Sequence, residues 1–458
     1  MKNKFLKVIL AILATTLGIV DGDSFTMIVS GVKSGWVYYA LNPWYYGDLA
    51  FKLYSLIFFA TCYSMVLALN PELIRRNRYN YYIIIAAISI VYASLRMLVD
   101  GYGGWAALAG TEIRSFMLIG TLPLLVFCTM ANYSTLPWFV IPFCIAIFLK
   151  SILLAYGYIA FGGVEFMTGV RSVVVDGNAL NSLSIGVIIT LALAAYLLSN
   201  RRFAWAAIAA LLCLLLVCMV AGSFRRLVLI KALTGAGIFI IVISYIKGRL
   251  MKNLPYMVPF VAVLGAVVGV AYVAIFGFED AKERLRSLTF QSETGSYSAS
   301  NKFYIEDWTL LGETLIKTGG MGVGFRNEYG ISARSDMGSE IAMANTEIPL
   351  HTGLYEIWGR LGIFGAVFHL LGFIIIPISA IKVARENRNE GAWLVAPSAA
   401  WLLFLGVFPF GSPPYLNISN WFYCSFAIGC LMAGVSPSYM AVLSNNIAKR
   451  GIGVRRRK

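Results

Sequence analysis

The chain has 458 residues, 59% of them hydrophobic and 13% charged, with a formal net charge of +15 and a mean hydropathy of +0.75. Soluble globular domains carry about 25% charged residues, so this composition excludes one and predicts a polytopic membrane protein. The positive charge is not a nucleic-acid signature, because the basic residues collect in short loops between apolar runs and in the terminal GIGVRRRK, as topology signals do.

Apolar runs long enough, or nearly so, to cross a core of about 30 Å begin at residues 5–20, 49–69, 81–99, 115–131, 137–158 and 179–199. Six more follow at 203–221, 227–246, 256–276, 355–381, 393–410 and 421–435, so the fold class expected is all-α, with about 12 transmembrane helices. The first run, behind MKNK, lacks a small-residue cleavage site and reads as a membrane helix, not a cleaved signal. With the N-terminus in the cytoplasm, the inside segments are MKNK, PELIRRNRYN, NRR, KGRLMKN, KVARENRNE and AKRGIGVRRRK, which hold nearly all the short-loop Lys and Arg. Both termini then lie inside. Residues 1–276 form nine helices, 277–350 one large extracytoplasmic loop, 351–435 the last three helices, and 436–458 a basic cytoplasmic tail. The loop's Gly- and Ser-rich pieces, ETGSYSAS and KTGGMGVGF, predict a small folded cap containing short helices.

Taken in chain order, the charges this topology puts on the outer face begin with Arg171 in VRSVVVDGNALN and continue with Arg225 and Arg226 in VAGSFRRLVLIKAL. An arginine at the bilayer centre costs about 2.5–3.5 kcal/mol on insertion scales. Basic residues kept on the side that the charge rule disfavours suggest an anionic ligand there; snorkelling to the interface is the plainer reading of the same residues. The seven cysteines sit singly in apolar runs, without metal-ligand spacing or a disulfide framework, and read as small buried hydrophobes. With His351 and His369 the only histidines, no histidine metal cluster is expected. There is no P-loop, nucleophile elbow or paired-histidine zinc helix. GGMGVGF is no dinucleotide fingerprint; it reads as a flexible turn or as a backbone surface closing over substrate. The helix interiors are almost free of Asp and Glu, which argues against a proton- or sodium-driven transporter.

The most informative stretch is PLHTGLYEIWGRLGIFGA, residues 349–366, where the large loop returns to the membrane. It reads as an amphipathic helix start, with Glu356 and Arg360 at i,i+4 on one face, a spacing that also suits a plain helix-stabilising ion pair. His351 is the one histidine placed outside, whereas His369 counts as about two-thirds of the way to a cytoplasmic loop.

HTGLYEIWGRLGIFG resembles the signature with which members of the O-antigen ligase and polysaccharide polymerase superfamily end their large periplasmic loop. SFRRLVLI is similar to that family's Ser-Arg helix start, RSVVVDGNALNSLSIG to its earlier Arg…Asn segment, and SNKFYIEDWTLLGETLIKTGGMGVGF to its basic residue, Trp helix and Gly-x-Gly run. The likeness covers about the C-terminal two-thirds of the chain. Thr352 stands where Asn is usual, Phe224 separates Ser223 from the arginines, and Lys302 occupies a position that is often arginine.

The resemblance implies a bacterial inner-membrane glycosyltransferase that moves a glycan from an undecaprenyl-diphosphate-linked oligosaccharide donor to an acceptor hydroxyl at the outer leaflet. Arg225, Arg226 and Arg171 would bind the donor diphosphate, where guanidinium groups stabilise the leaving charge by bidentate hydrogen bonds without a metal or other cofactor. His351 would be the general base, flanked by Glu347 and Glu356 as the nearest alternatives, with Lys302, Arg326, Glu347, Glu356 and Arg360 as further substrate-binding candidates. The acceptor is a growing glycan in a polymerase, the preferred reading, or lipid A core in a ligase. Membrane lipids, and a chain-length regulator and a flippase of the same pathway, complete the expected partners. A lipid-linked glycan flippase is the reading from a different class, distinguished by charges lining a central cavity; the candidates here sit at helix ends and in the loop.

Overall fold

The computed structural model describes residues 2–19, 79–99, 179–221, 226–250, 311–322, 355–387, 391–407 and 418–435, with short pieces at 141–146, 164–165 and 171–172 and isolated positions elsewhere. These residues are mostly helical. Helices α1 (Lys2–Ile19) and α2 (Asn80–Val99) are followed by a minimal antiparallel strand pair, β1 (Val164–Glu165) and β2 (Arg171–Ser172). Then come α3 (Ala179–Ser199), α4 (Phe203–Ala221) and α5 (Arg226–Ile246). A π turn (Tyr355–Gly359) leads into α6 (Arg360–Leu370), and a second π turn (Leu371–Ile375) joins α6 to α7 (Ile376–Glu386). α8 (Ala392–Val407) and α9 (Ile418–Gly434) complete the described elements. α3 and α4 have the expected bounds and α2 and α5 differ from them by one residue at the start, whereas the predicted spans at 49–69 and 115–131 lie outside the described residues, as do the tail 436–458 and most of 277–350.

Among the described residues, three helical stretches are long and apolar enough to cross a membrane: Phe203–Ala221, Leu229–Ile246 and Ile357–Glu386. α4 shows why. It has no charged residue; Ala206, Ala209, Leu216 and Val217 face the bundle, while Trp205, Ile208, Leu211 and Leu214 point outward and are exposed. A helix with large apolar side chains on its outer face and small ones inside fits lipid, not water. α2 repeats the pattern with Ile84, Ile88, Val91 and Leu95. This is the makeup of a membrane protein.

Contacts at the helix ends fix their relative directions. Near the end of α3, Tyr196 meets Trp393 of α8 edge-to-face at 5.7 Å; Lys247, just past α5, lies over the same indole at 5.4 Å; and Arg385 of α7 lies 4.1 Å over Tyr245. Gly391 abuts Gly434, so the end of α9 joins them. This basic end also carries the turn Asn200–Arg202. The Tyr79 hydroxyl donates a hydrogen bond of 3.1 Å to the Ser379 hydroxyl, while Tyr92 packs on Phe364 at 4.8 Å, so α2 runs antiparallel to α6 and α7. The core fills the space between with Leu183, Ile188, Leu216, Phe239, Phe373, Trp401, Phe404 and Tyr423, and the free cysteines Cys144, Cys424 and Cys430 are buried, as small hydrophobes are.

Candidate functional site

The stretch 355–386 is not the straight helix its periodicity predicts. Gly362 has φ 57° and ψ −137°, a conformation essentially reserved for glycine, and the chain breaks there. In a straight helix the eleven residue steps from Trp358 to His369 span about 16 Å, yet their rings are 6.2 Å apart, and a Cβ on Gly365 would strike the Ile357 carbonyl. Residues 355–361 therefore double back along α6. The expected amphipathic start is corrected in consequence: Ile357, Gly359, Arg360, Leu361 and Gly362 are all buried, because this segment packs against protein on more than one side, and the π turn replaces the regular i,i+4 register. Arg360 is only 6% exposed.

The glycine-rich run closes this re-entrant segment. A loop helix through residues 311–317 ends in a glycine cap, with the Gly320 amide bonded to the Leu315 carbonyl (2.7 Å) and the Gly319 amide to that of Ile316 (3.2 Å). The Met321 amide donates to the Thr318 carbonyl, and the Gly322 amide to the Thr318 hydroxyl at 3.1 Å. Every amide from Gly319 to Gly322 is thus engaged, so the turn is not a phosphate cradle, which needs free donors. Its carbonyls are engaged as well: that of Gly320 accepts from the Ile363 amide (2.9 Å) and that of Met321 from the Tyr92 hydroxyl (2.8 Å). The described part of GGMGVGF, residues 319–322, is a turn docked as a cap on a broken helix.

Of the sequence-predicted site residues, Arg171 pairs through its backbone with Glu165 in the β1–β2 ladder, and Arg226 opens α5. Glu356 belongs to the first π turn and Arg360 begins α6 beside the glycine cap. His351, Arg225, Lys302, Arg326 and Glu347 lie outside the described residues. Arg360 and the glycine run are brought together, residues that the resemblance had quoted as separate motifs.

No family model matches the chain, and no curated protein matches it.

Two further buried ionisable residues have no role in the sequence reading. Lys231 in α5 is 1% exposed, with its ammonium 5.2 Å over the Trp401 ring. Its signal was a lone lysine within an apolar run, overlooked because charges were counted in loops. Charged residues inside a span almost always face the bundle interior. His369 is 2% exposed, stacks on Phe373 at 5.0 Å, and has a buried Nδ1 with no hydrogen-bond partner, while Nε2 lies 3.4 Å from the Gly406 carbonyl. Gly406 is next to the last residue of α8, remote from the basic end at Trp393, so His369 lies toward the opposite end of the bundle. The break at Gly362 is the reason: the span starts deeper in the sequence than a straight helix from Tyr355 allows.

Proposed function

We propose that the protein is a bacterial inner-membrane glycosyltransferase that transfers a glycan from an undecaprenyl-diphosphate donor to a sugar hydroxyl at the outer leaflet, as a polysaccharide polymerase. The observation that carries this reading is the order of the quoted motifs along the chain, ending in HTGLYEIWGRLGIFG, all at loops or helix ends that the charge count assigns to one side. Further support comes from the re-entrant segment, where a buried arginine and a loop-derived cap meet at a broken helix, the kind of irregular backbone that membrane proteins keep where it is buried in protein. Arg225, Arg226 and Arg171 hold the diphosphate and take up the charge that develops as the glycosidic bond breaks. His351 removes the acceptor proton, giving a direct displacement with inversion. About twelve spans with both termini cytoplasmic complete the proposal.

The test incubates the purified protein with a lipid-linked repeat, with and without lipid A core and with and without EDTA. Polymer from the repeat alone, unaffected by chelation, is the expected product. A conjugate formed only when lipid A core is present would replace polymerase by ligase, and movement of the intact lipid-linked repeat across a vesicle bilayer without bond cleavage would replace both by a flippase.

A further inference from the structure

At the basic end of the bundle α3, α5, α7 and α9 finish and α4 and α8 start, so their opposed dipoles partly offset one another. Among the described residues this end carries the exposed cations Arg201, Arg202, Lys247, Arg249, Lys382 and Arg385 against one carboxylate, Glu386. Membrane topology needs positive charge at this level, but not charge held in fixed places. Here it is held. The Arg385 guanidinium lies 4.1 Å over Tyr245, and the Lys247 ammonium 5.4 Å over Trp393, whose ring also meets Tyr196. Tyr245 and Lys247 sit where α5 ends in a glycine cap, with Gly248 at φ 64° and the Arg249 amide bonded to the Ser244 carbonyl at 2.9 Å. The turn from α3 to α4 is fixed in the same way, by a bond of 2.9 Å from the Arg202 amide to the Leu197 carbonyl. Arg201 has φ 59° there, a left-handed conformation that glycine or asparagine takes more easily, so an arginine is kept where it strains the backbone.

Directly past that turn Phe203 and Trp205 are exposed, and Ile208, Leu211 and Leu214 continue the outward stripe along α4. The order along this surface is cation, aromatic ring, aliphatic side chain, which matches the phosphate, interface and acyl chain of a phospholipid. We propose that the basic end of the bundle binds anionic phospholipid, with headgroup phosphates against Arg385, Lys247 and the Arg201–Arg202 turn and acyl chains along the α4 stripe. A guanidinium stacked through its face can still donate along its edge, two N–H bonds to one phosphate, and the stacking has already restricted its side chain. Basic surfaces between membrane helices recognise anionic headgroups by this complementarity of charge. Arg226 opens the far end of α5, so the proposal is independent of the transferase reading.

The test is native mass spectrometry of the full-length protein in detergent, equilibrated with phosphatidylglycerol or with phosphatidylcholine of the same acyl chains. The wild type should retain phosphatidylglycerol about fivefold or more over phosphatidylcholine, the worth of a single cation beside an anionic headgroup. Lys247→Gln with Arg385→Gln should lower phosphatidylglycerol retention about tenfold, as expected for loss of a hydrogen bond to a charged group. Lys282→Gln with Lys317→Gln removes the same net charge from exposed ion pairs elsewhere, and should leave retention within about twofold. If the first double variant does not fold, Arg385→Gln alone takes its place, and the wild-type preference must hold in any case. Equal retention of the two lipids by the wild type overturns the proposal. So does an equal loss in both double variants, which would reduce the effect to net charge. Displacement of the bound lipid by millimolar inorganic phosphate would make this a site for a soluble anion and overturn the phospholipid assignment.

Discussion

α4 and the stretch 355–386 both pass through the same bundle, yet they satisfy their backbones in opposite ways. α4 is unbroken, apolar on all sides and bonded within itself, so its neighbours need only fit its shape. The other stretch has two π turns and a break at Gly362, buries an arginine and a histidine, and takes a hydrogen bond for its restarted helix from a distant loop. In a low-dielectric setting an unmade backbone bond costs several kcal/mol, so a broken helix persists only where other segments complete it. Among the described residues, irregularity is concentrated in this stretch and is held by contacts that a simple span does not require.

The largest expected effect tests whether the irregular region is the reactive one. His351→Ala should lower transfer by about 10²–10⁴-fold, the contribution of a general base, with expression and donor binding kept. Wild-type activity should rise with pH as an imidazole loses its proton, and the variant should lose that rise. Full activity with an unchanged pH profile in the variant would move the proton-accepting role to Glu347 or Glu356.

A smaller effect separates the adjacent Arg225 and Arg226, the second of which opens α5. Arg→Lys keeps the charge and loses the planar fork, so at the functional position turnover should drop about tenfold to a hundredfold, the worth of a charge-assisted hydrogen bond. At the other position the same change should alter it by only about two- or threefold. Full polymer formation by both Arg225→Lys and Arg226→Lys would make the pair interfacial anchors.

The comparison can be sharpened with one substitution made in each kind of helix. Gly362→Ala forces a side chain into a glycine-only conformation and against the Gly320 and Met321 backbones, and should destabilise the protein by about 1–3 kcal/mol or more. Gly237→Ala, in α5, meets nothing within 4 Å, and should stabilise it by about 0.5–1 kcal/mol through reduced chain entropy. Equal shifts of the two in a reversible unfolding titration would mean that the break at Gly362 is not held as described.

By itself, the sequence determined the elements whose signal is local. Apolar runs bounded by Asn200–Arg202 and Lys247–Arg249 gave α3, α4 and α5 nearly to the residue, since a span's length and flanking charge are readable without knowing its neighbours. It also marked Arg360 and the glycine run as unusual, because neither belongs in a plain span. Only the tertiary structure decided that these two meet, that residues 355–361 fold back, and that Lys231 and His369 are buried inside the bundle. The physical reason is that a helix break and a buried charge are each unfavourable alone: periodicity reports what one segment prefers, whereas the Gly320 carbonyl, the Tyr92 hydroxyl and the Trp401 ring that compensate them come from segments far away in the chain.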